Sequence, residues 1–243
     1  MLSLPALLMV LPDARIALGT GKAQSSFGTA ASLYSYARAG HVDRRRALPS
    51  FVAGGIGAFA GVEVVLVLKP EIIRPVVLVL LVAAALFFAV RGRPRDRRAA
   101  AEESSPAAAI PAGFSIARSH PVLVAAVIGG AIGFYDGFFG PGAGTFLIAS
   151  YVAMFGDDLP HATANAKVTN FASNIVALGA FAAAGKVDFR IAIPMAGAQV
   201  IGGYLGARAA IRGGDRLVRT GVLVVTLAMA VRLGWQILGS AMP

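Results

Sequence analysis

Long apolar stretches recur along the chain, and short polar segments separate them. Each of the longer stretches has roughly the twenty residues that a helix needs to cross a hydrocarbon core of about 30 Å. We predict these helices over 16–38, 47–68, 71–90, 120–139, 165–184, 191–211 and 217–238. Two shorter apolar segments, 1–11 and 144–156, are too short to cross the membrane unless neighbouring segments complete the crossing. The pattern therefore predicts an all-α polytopic membrane protein with about seven or eight transmembrane helices.

The longest polar stretch, residues 91–113, divides this pattern into two parts. It is rich in Arg, Ala, Pro and Ser, which is typical of a flexible linker, and it begins with a cluster of arginines. Loops rich in arginine lie on the cytoplasmic side of a bilayer. We therefore predict a first transmembrane region over 1–90, a basic cytoplasmic linker over 91–119 and a second transmembrane region over 120–243.

The two transmembrane regions resemble each other at a constant offset of 145 residues. An internal duplication of this kind is common among secondary transporters. The second repeat opens with a glycine-rich helix whose counterpart would precede Met1. We expect the first repeat to continue upstream, the alternative being a repeat that is itself short. Residues that coincide at this offset include Lys22 with Lys167, Gly40 with Gly185, Asp43 with Asp188, Pro49 with Pro194 and Arg74 with Arg219.

Composition supports the membrane class and argues against several others. The chain is 57% hydrophobic and only 14% charged, whereas about a quarter of the residues in a soluble domain are charged. The net charge of +10 comes largely from arginines in short loops. No basic stretch is interleaved with aromatic residues, so we expect no nucleic-acid partner. The absence of cysteine excludes disulfides and thiolate metal sites.

Signals of an enzyme are weak. His41, His120 and His161 lie far apart in sequence. The chain has no His-x-x-x-His motif, no phosphate-binding loop and no nucleophile elbow. Asp157 and Asp158 adjoin a proline, and we interpret them as solvated charges of a turn. We therefore predict no catalysis, no metal and no cofactor, and transport driven by a gradient or passive.

A glycine-rich stretch, GGAIGFYDGFFGPGAGTFLI at 129–148, interrupts an otherwise apolar span. Pro141 and its glycine neighbours cannot sustain a regular helix, and broken backbone in a membrane needs protein or a water-filled cavity around it. The N–H groups freed at Gly142 and Gly144 would form an anion site. Close helix packing through small residues is the alternative, and both can hold. Asp136 in the same span is a candidate proton carrier, a lysine partner or a helix cap.

Lys22 and Lys167 lie inside apolar helices at equivalent positions of the two repeats. Small polar side chains accompany both lysines, and those of the second helix share one face. Two lysines related by a pseudo-two-fold axis would suit a small oxyanion, the alternative being that both extend to the lipid headgroups. The predicted substrate-binding residues are Lys22, Gln24, Ser25, Lys167, Thr169, Asn170 and Asn174, together with Gly142 and Gly144.

Two further motifs indicate structural roles. Gly-x-x-x-Gly spacing at 55–61 and 202–207 predicts seams of close helix packing. Asp43 and Asp188 come just before a predicted helix, and we expect each to cap the helix that follows.

Three stretches resemble signatures of the TauE/SafE sulfite exporter family, most of all its "probable membrane transporter" branch. They are LGTGKAQSSFGTAASLYSYARAGHVD, GFYDGFFGPGAGTFL and ATANAKVTNFASNIVAL, of which the second is the most specific. The resemblance covers nearly the whole chain and implies a duplicated helical transporter of the bacterial inner membrane that exports sulfite or small organosulfur acids. Gly21, where asparagine is common, and the missing opening helix depart from the family pattern. Matching positions are Gly19, Thr20, Lys22, Gln24, Ser25, Ser26, Tyr135, Asp136, Gly140, Pro141, Gly142, Gly144, Lys167, Asn170, Ser173 and Asn174.

We predict a multi-pass secondary transporter that exports small anions, sulfite or an organosulfonate first, across the bacterial inner membrane. A passive anion channel and a membrane scaffold without transport activity are the alternatives. The partners would be the anionic substrate and the lipid bilayer, and a homo-oligomer is compatible with the sequence. The coupling ion and the direction of transport stay open.

The relative orientation of the repeats also stays open. If 144–156 is re-entrant, the repeats run parallel. The arginines within 208–219 then lie outside, against the rule that positive charge stays inside. If 144–156 returns across the membrane with its neighbours, the second repeat is inverted and all the arginine clusters are cytoplasmic.

Overall fold

The computed structural model of the chain describes residues 3–11, 13–69, 72, 73, 75–77, 79, 117 and 119–212. The secondary structure of these residues is helical throughout, which confirms the all-α prediction. The predicted linker and the predicted helix at 217–238 lie outside the described residues, as does most of 71–90. The main helices are α1 Ser3–Val10, α2 Ala14–Arg38, α3 Arg44–Val67, α4 Pro121–Phe138, α5 Ala143–Phe155, α6 Leu159–Ala183 and α7 at 189–212.

The boundaries of these helices agree with the predicted ones to within three residues, except at the start of α6. That helix begins at Leu159, six residues earlier than predicted. Asp158 caps it by accepting a hydrogen bond from the backbone of His161 at 2.9 Å. Pro160 fits the first turn, where a helix needs no N–H donor.

Two of the described helices, α3 and α4, are long and apolar enough to cross a membrane, judged by length and composition. Their outer faces carry large apolar side chains, such as Ile56 and Leu123, which are 67% and 61% exposed. Apolar exposure on this scale is typical of a surface that contacts lipid. Helices α2 and α6 are each 25 residues long, but the polar side chains of the candidate site lower their hydropathy.

Helices α2 and α6 pack against each other in opposite directions. Near the start of α2, Gly19 lies against Phe181, which is near the end of α6. Near the end of α2, Tyr36 packs on Ala164, which is near the start of α6. The turns beyond meet as well, because the ring of His41 stacks on His161 with centroids 4.9 Å apart. The order of these contacts makes the two helices antiparallel.

Helices α4 and α5 form a hairpin that begins and ends at the same end of the bundle. Gly129 and Gly137 of α4 contact Ser50 and Ala58 of α3 in the same order, so these helices run parallel. After the break at 139–142, α5 runs back until its end lies beneath Arg46, whose guanidinium carbon is 4.4 Å from the ring centroid of Phe155. Arg46 is in the first turn of α3. The hairpin therefore starts and finishes beside the start of α3.

The directions of the helices place the arginines of both halves together. We call the end of the bundle where α2, α5 and α7 finish and α3, α4 and α6 begin the arginine end. It carries Arg38, Arg44, Arg45, Arg46, Arg208 and Arg212. The opposite end carries Arg15, Lys69, Lys186 and Arg190. Because α2 and α6 are antiparallel, Arg208 and Arg212 lie at the same end as the arginines of the first half. The conflict with the rule that positive charge stays inside therefore does not arise.

Several local contacts recur at the offset of 145 residues, exchanged between the two halves. The backbone N–H of Asp43 donates to Asn165 at 3.0 Å, and that of Asp188 donates to Thr20 at 3.0 Å. The preceding glycines share a left-handed conformation, with φ of 79° at Gly40 and 66° at Gly185. Asp43 and Asp188 differ by 145 in number, as do Thr20 and Asn165, so each aspartate contacts a residue of the other half.

The aspartates between helices act as caps, as predicted for Asp43 and Asp188. The carboxylate of Asp188 accepts from the backbone of Arg190 at 2.9 Å, and that of Asp43 accepts from Arg45 at 2.9 Å. Burial by itself would raise the pKa of Asp43, but the hydrogen bond from Arg46 and those from the backbone outweigh it and hold the pKa below its ordinary value. Both interhelical turns are therefore fixed by charge as well as by backbone geometry.

The prediction of two solvated turn charges is wrong for Asp157. Its carboxylate accepts from Arg46 at 3.0 Å and from Asn165 at 3.2 Å, and the side chain is only 11% exposed. It therefore ties the turn before α6 to the first turn of α3. Asp158 is a solvated charge as predicted, 62% exposed, besides capping α6.

One of the two predicted glycine seams is confirmed. Gly57 and Gly61 face the backbone of α4 so closely that a Cβ on Gly61 would lie 2.7 Å from the nitrogen of Phe138. In the second stretch, Gly203 meets the Gly28 carbonyl closely, while Gly202 and Gly206 have no neighbour among the described residues within 4 Å of a Cβ. A Gly-x-x-x-Gly pattern indicates that a helix can pack closely against a neighbouring helix. When further glycines adjoin the pattern, it does not decide which face of the helix makes the contact.

Gly133→Ala is expected to destabilise the protein by about 1–3 kcal/mol, the ordinary cost of overpacking. The added Cβ would lie 2.8 Å from the Cα of Gly54, and backbone cannot move aside as a side chain can. Thermal unfolding of purified protein in detergent measures the effect. Gly179→Ala is the matched control, because no described atom lies within 4 Å of its Cβ position. Equal melting temperatures for the two variants would contradict the seam.

Candidate functional site

A lysine and an aspartate from different helices form an ion pair inside the bundle. The ammonium of Lys22 on α2 lies 2.7 Å from Oδ1 of Asp136 on α4. The two side chains are 6% and 4% exposed. Charges within apolar surroundings are costly unless they are paired, so this contact fixes α2 against α4.

The carboxylate of Asp136 is satisfied on both oxygens. Its Oδ2 accepts from the amide of Asn170 at 3.0 Å and from the hydroxyl of Ser173. Both donors belong to α6, where a spacing of three residues puts them on one face. The ammonium of Lys22 in turn donates to Asn174 of the same helix at 3.2 Å. Three helices therefore meet at one carboxylate.

The break between α4 and α5 lies directly against this ion pair. A Cβ on Gly140 would come 3.2 Å from Nζ of Lys22 and 3.3 Å from Oδ1 of Asp136. The φ of Gly140 is 94°, in the left-handed region that other residues avoid. The turn is held from the other side, because the hydroxyl of Tyr135 donates to the carbonyl of Pro141 at 2.7 Å. Position 140 thus requires glycine for its backbone and for its neighbours.

The break lies within the bundle and not at its end. Phe138, the last residue of α4, contacts Gly61, six residues before the end of α3. Six residues of helix span about 9 Å. The start of α5, which follows this break by a few residues, therefore lies in the interior of the bundle.

Of the predicted site residues, the structure assembles four: Lys22, Asp136, Asn170 and Asn174. It adds Thr29, whose hydroxyl donates to Asn170 at 3.4 Å and accepts from Asn174 at 3.5 Å. The repeat could have revealed this residue, because Thr29 and Asn174 occupy equivalent positions at the offset of 145. Ser173, which the family resemblance includes, also belongs to the assembly.

Lys167 does not join this cluster. It is partly buried on α6, seven residues before Asn174, a separation of about 10 Å along the helix. In the described part of the chain no hydrogen bond or ion pair of its ammonium is seen. The two lysines therefore have separate surroundings, and the expectation that they form a single pair around one anion gains no support from the contacts.

The remaining predicted residues make no hydrogen bond to the ion pair among the described contacts. Gln24 donates to Gln199 of α7 at 3.2 Å. Thr169 is fully buried, with its hydroxyl near that of Tyr151. Ser25 is half-buried. Gly142 caps α5 with a φ of 88°, and Gly144 follows in its first turn with open space where a Cβ would lie.

The chemistry gathered at Asp136 is that of an oxyanion site. An ammonium, an amide and a hydroxyl, beside the start of a helix, are the donors that bind small oxygen anions in proteins. In the described residues no group of three His, Asp or Glu side chains is placed to hold a metal. In this structure these donors surround the carboxylate of Asp136.

Comparison with known proteins decides which family this arrangement belongs to. Residues 1–233 match the family described as Sulfite exporter TauE/SafE. The chain belongs to this family. Membership makes it a membrane transporter, and it agrees with the resemblance carried by the glycine-rich break and by the two lysine helices. The printed names of its relatives do not specify a substrate.

Three relatives illustrate the family. A protein from Sinorhizobium sp named "Probable membrane transporter protein ORF9" is 31% identical over 96% of this chain and 83% of its own length. "Probable membrane transporter protein YfcA" from Escherichia coli strain K12 is 28% identical over 96% of this chain and 81% of its own. A "Probable membrane transporter protein" from Haemophilus influenzae is 28% identical over 97% and 88%. No solved structure matches the chain.

Lys22→Met is expected to destabilise the protein by about 3–5 kcal/mol, because Asp136 is left buried without its counter-charge. Combining it with Asp136→Leu removes both charges and restores most of this loss. Unfolding of the purified variants in mixed detergent micelles gives the free energies. Lys167→Met is the control, since its ammonium has no carboxylate partner in the described part of the chain. An Lys22→Met variant no less stable than this control would contradict the paired role of Lys22.

Proposed function

We propose that this chain is a multi-pass secondary transporter of the bacterial inner membrane that exports a small anion, sulfite or an organosulfonate first. The observation that carries the proposal is the buried contact of Lys22 with Asp136, beside a helix break. Family membership supports transport, and the donor set supports an anion as the substrate.

Asp136 acts in this proposal as an internal substitute for the anion. Its two oxygens hold the donors of Lys22, Asn170 and Ser173 in the absence of substrate. A sulfite or sulfonate group offers oxygens of the same kind to the same donors. The transporter thereby avoids an unpaired ammonium in its interior when it is empty, which would be costly.

The exchange of one anion for the other requires a proton. A substrate anion entering while Asp136 stays ionised would place two negative charges around a single ammonium. When Asp136 takes up a proton, it releases Lys22, and the charge of the bound anion replaces that of the carboxylate. Anion and proton are then carried together, and a monovalent anion crosses without net charge. Export by this route is driven by the outward concentration gradient of the anion, and an inward proton gradient opposes it.

The start of α5 completes the site. The positive end of a helix attracts an anion through its free N–H groups, and here it lies beside the ion pair. Gly142 and Gly144 leave room for a close approach of the backbone. The α4–α5 hairpin as a whole would then be a re-entrant element that delivers these N–H groups to the interior of the bundle.

The second lysine fits a duplicated transporter. The crossed contacts at the offset of 145 support two repeats, and the antiparallel α2 and α6 support an inverted relation between them. Lys167 would provide a second anion contact, about 10 Å along α6 from the first. Gln24, Ser25 and Thr169 are proposed as polar contacts along the same path.

Proteoliposomes with a pH gradient are expected to accumulate sulfite or sulfoacetate, and Lys22→Gln is expected to reduce the flux at least tenfold. A hydrogen bond to a charged group contributes about 1.5–3 kcal/mol, or roughly tenfold and more in binding. Lys186→Gln should leave the flux unchanged, because Lys186 pairs with Asp13 at 3.1 Å, at the opposite end of α2 from the arginines.

Asp136→Asn is expected to abolish accumulation driven by the pH gradient, because an amide cannot carry the proton.

Unchanged flux in Lys22→Gln and Lys167→Gln would preserve the transporter and reject the site. Unitary currents independent of the pH gradient would indicate a passive channel. No flux of sulfite, sulfate, thiosulfate, sulfoacetate or chloride through folded protein would indicate a scaffold.

A further inference from the structure

A second cationic site lies at the arginine end, away from Lys22 and Asp136. Helices α2 and α7 run side by side there, and Gly203 approaches Gly28 so closely that a Cβ on Gly203 would lie 2.5 Å from the Gly28 carbonyl oxygen. Past this contact, a cavity of about 320 Å³ lies between the last turns of the two helices. It reaches the lower size range of ligand pockets, about 300 Å³.

Three guanidinium groups line this cavity: Arg38 from α2, and Arg208 and Arg212 from α7. Among the residues that the structure describes, no acidic side chain lines the cavity and none of the three arginines is paired with a carboxylate. Each helix C-terminus contributes about half a negative charge. The end of α2 at Arg38 therefore offsets about half of one positive charge, and the described lining keeps a surplus that an anion would neutralise.

Tyrosines orient two of the arginines. The guanidinium of Arg38 donates to the hydroxyl of Tyr34 at 3.1 Å and lies 5.7 Å from its ring centroid. The guanidinium of Arg208 lies 5.2 Å from the ring centroid of Tyr204. Stacking on an aromatic ring leaves N–H groups of the guanidinium free for an anion. Helix capping or the inside preference of positive charge explains arginines at this end, but not their convergence on one cavity.

The surroundings of the cavity indicate where its ligand comes from. Tyr34 is 55% exposed, and on α7 the side chains of Ile201 and Leu205 are 63% and 59% exposed. Apolar side chains thus continue from the arginines along the outer surface of the bundle, where acyl chains would lie. Tyrosine and arginine together are typical of the boundary between the hydrocarbon core and the headgroups.

We propose that the cavity of Arg38, Arg208 and Arg212 binds the phosphate of an anionic phospholipid from the cytoplasmic leaflet. The guanidinium groups bind the phosphodiester, and the apolar surface of α7 receives the acyl chains. Basic pockets between transmembrane helices on this side of a membrane take headgroups in the same way. A soluble phosphate would share the headgroup chemistry but would gain nothing from the apolar surface.

The test is lipid retention by the full chain, measured by native mass spectrometry from detergent. The protein is titrated with phosphatidylglycerol or with phosphatidylcholine. We expect tighter retention of phosphatidylglycerol by at least tenfold, because each basic residue near a headgroup contributes about fivefold to binding. Equal retention of the two lipids by the unaltered protein would overturn the proposal without any variant.

A triple variant, Arg38→Gln, Arg208→Gln and Arg212→Gln, is expected to lose this preference. Arg44→Gln with Arg45→Gln is the matched control, because both arginines belong to the same end but do not line the cavity. A preference that persists in the triple variant would overturn the assignment, as would one lost equally in the control. Glycerol phosphate at millimolar concentration distinguishes the sources: displacement of the lipid by this soluble ester would assign the cavity to a soluble phosphate instead.

Discussion

A single ion pair between Lys22 and Asp136 constrains the centre of the molecule. Neither charge is tolerable alone among apolar side chains, so the position of each depends on the other. Their contact requires α4 to stop near Lys22 and requires glycine at position 140, where any side chain would meet the ammonium. It also requires α6 to present an amide and a hydroxyl to the second carboxylate oxygen. The helix break and the polar face of α6 are consequences of burying this carboxylate.

The glycine seam between α3 and α4 makes this arrangement mechanically possible. Packing backbone on backbone holds α4 at a fixed height, so the hairpin turn reaches the level of Lys22 and stops there. At the arginine end, Arg46 bridges Asp43 and Asp157 and thereby joins the start of α3 to the turn between α5 and α6. The hairpin is therefore anchored along α4 and at its return, while its turn lies against the ion pair of Lys22 and Asp136 that the proposed exchange would open. Rigid support around an exchangeable contact suits a transporter.

Much of the fold could be predicted from the sequence, because apolar periodicity and capping residues are local signals. The caps at Asp43 and Asp188 follow directly from residue type and position. The polar members of the site were individually visible, since a lysine, an aspartate or an asparagine within an apolar helix is conspicuous. Their partners were not, because pairing depends on helix direction. Antiparallel packing of α2 and α6 places Asn174 beside Lys22, and the same geometry separates Lys22 from Lys167. For the same reason Asp157 looked solvated in the sequence, although Arg46 of another helix covers it.

In the proposed transport cycle the substrate anion replaces the Asp136 carboxylate, which takes up a proton as it leaves Lys22. Infrared difference spectroscopy of the protein in lipid, recorded on addition of sulfite, tests this directly. Anion binding is expected to produce the carbonyl band of a protonated carboxyl group, and Asp136→Asn is expected to abolish that band. Saturable sulfite binding with no such band, or with a band that survives in Asp136→Asn, would contradict the exchange.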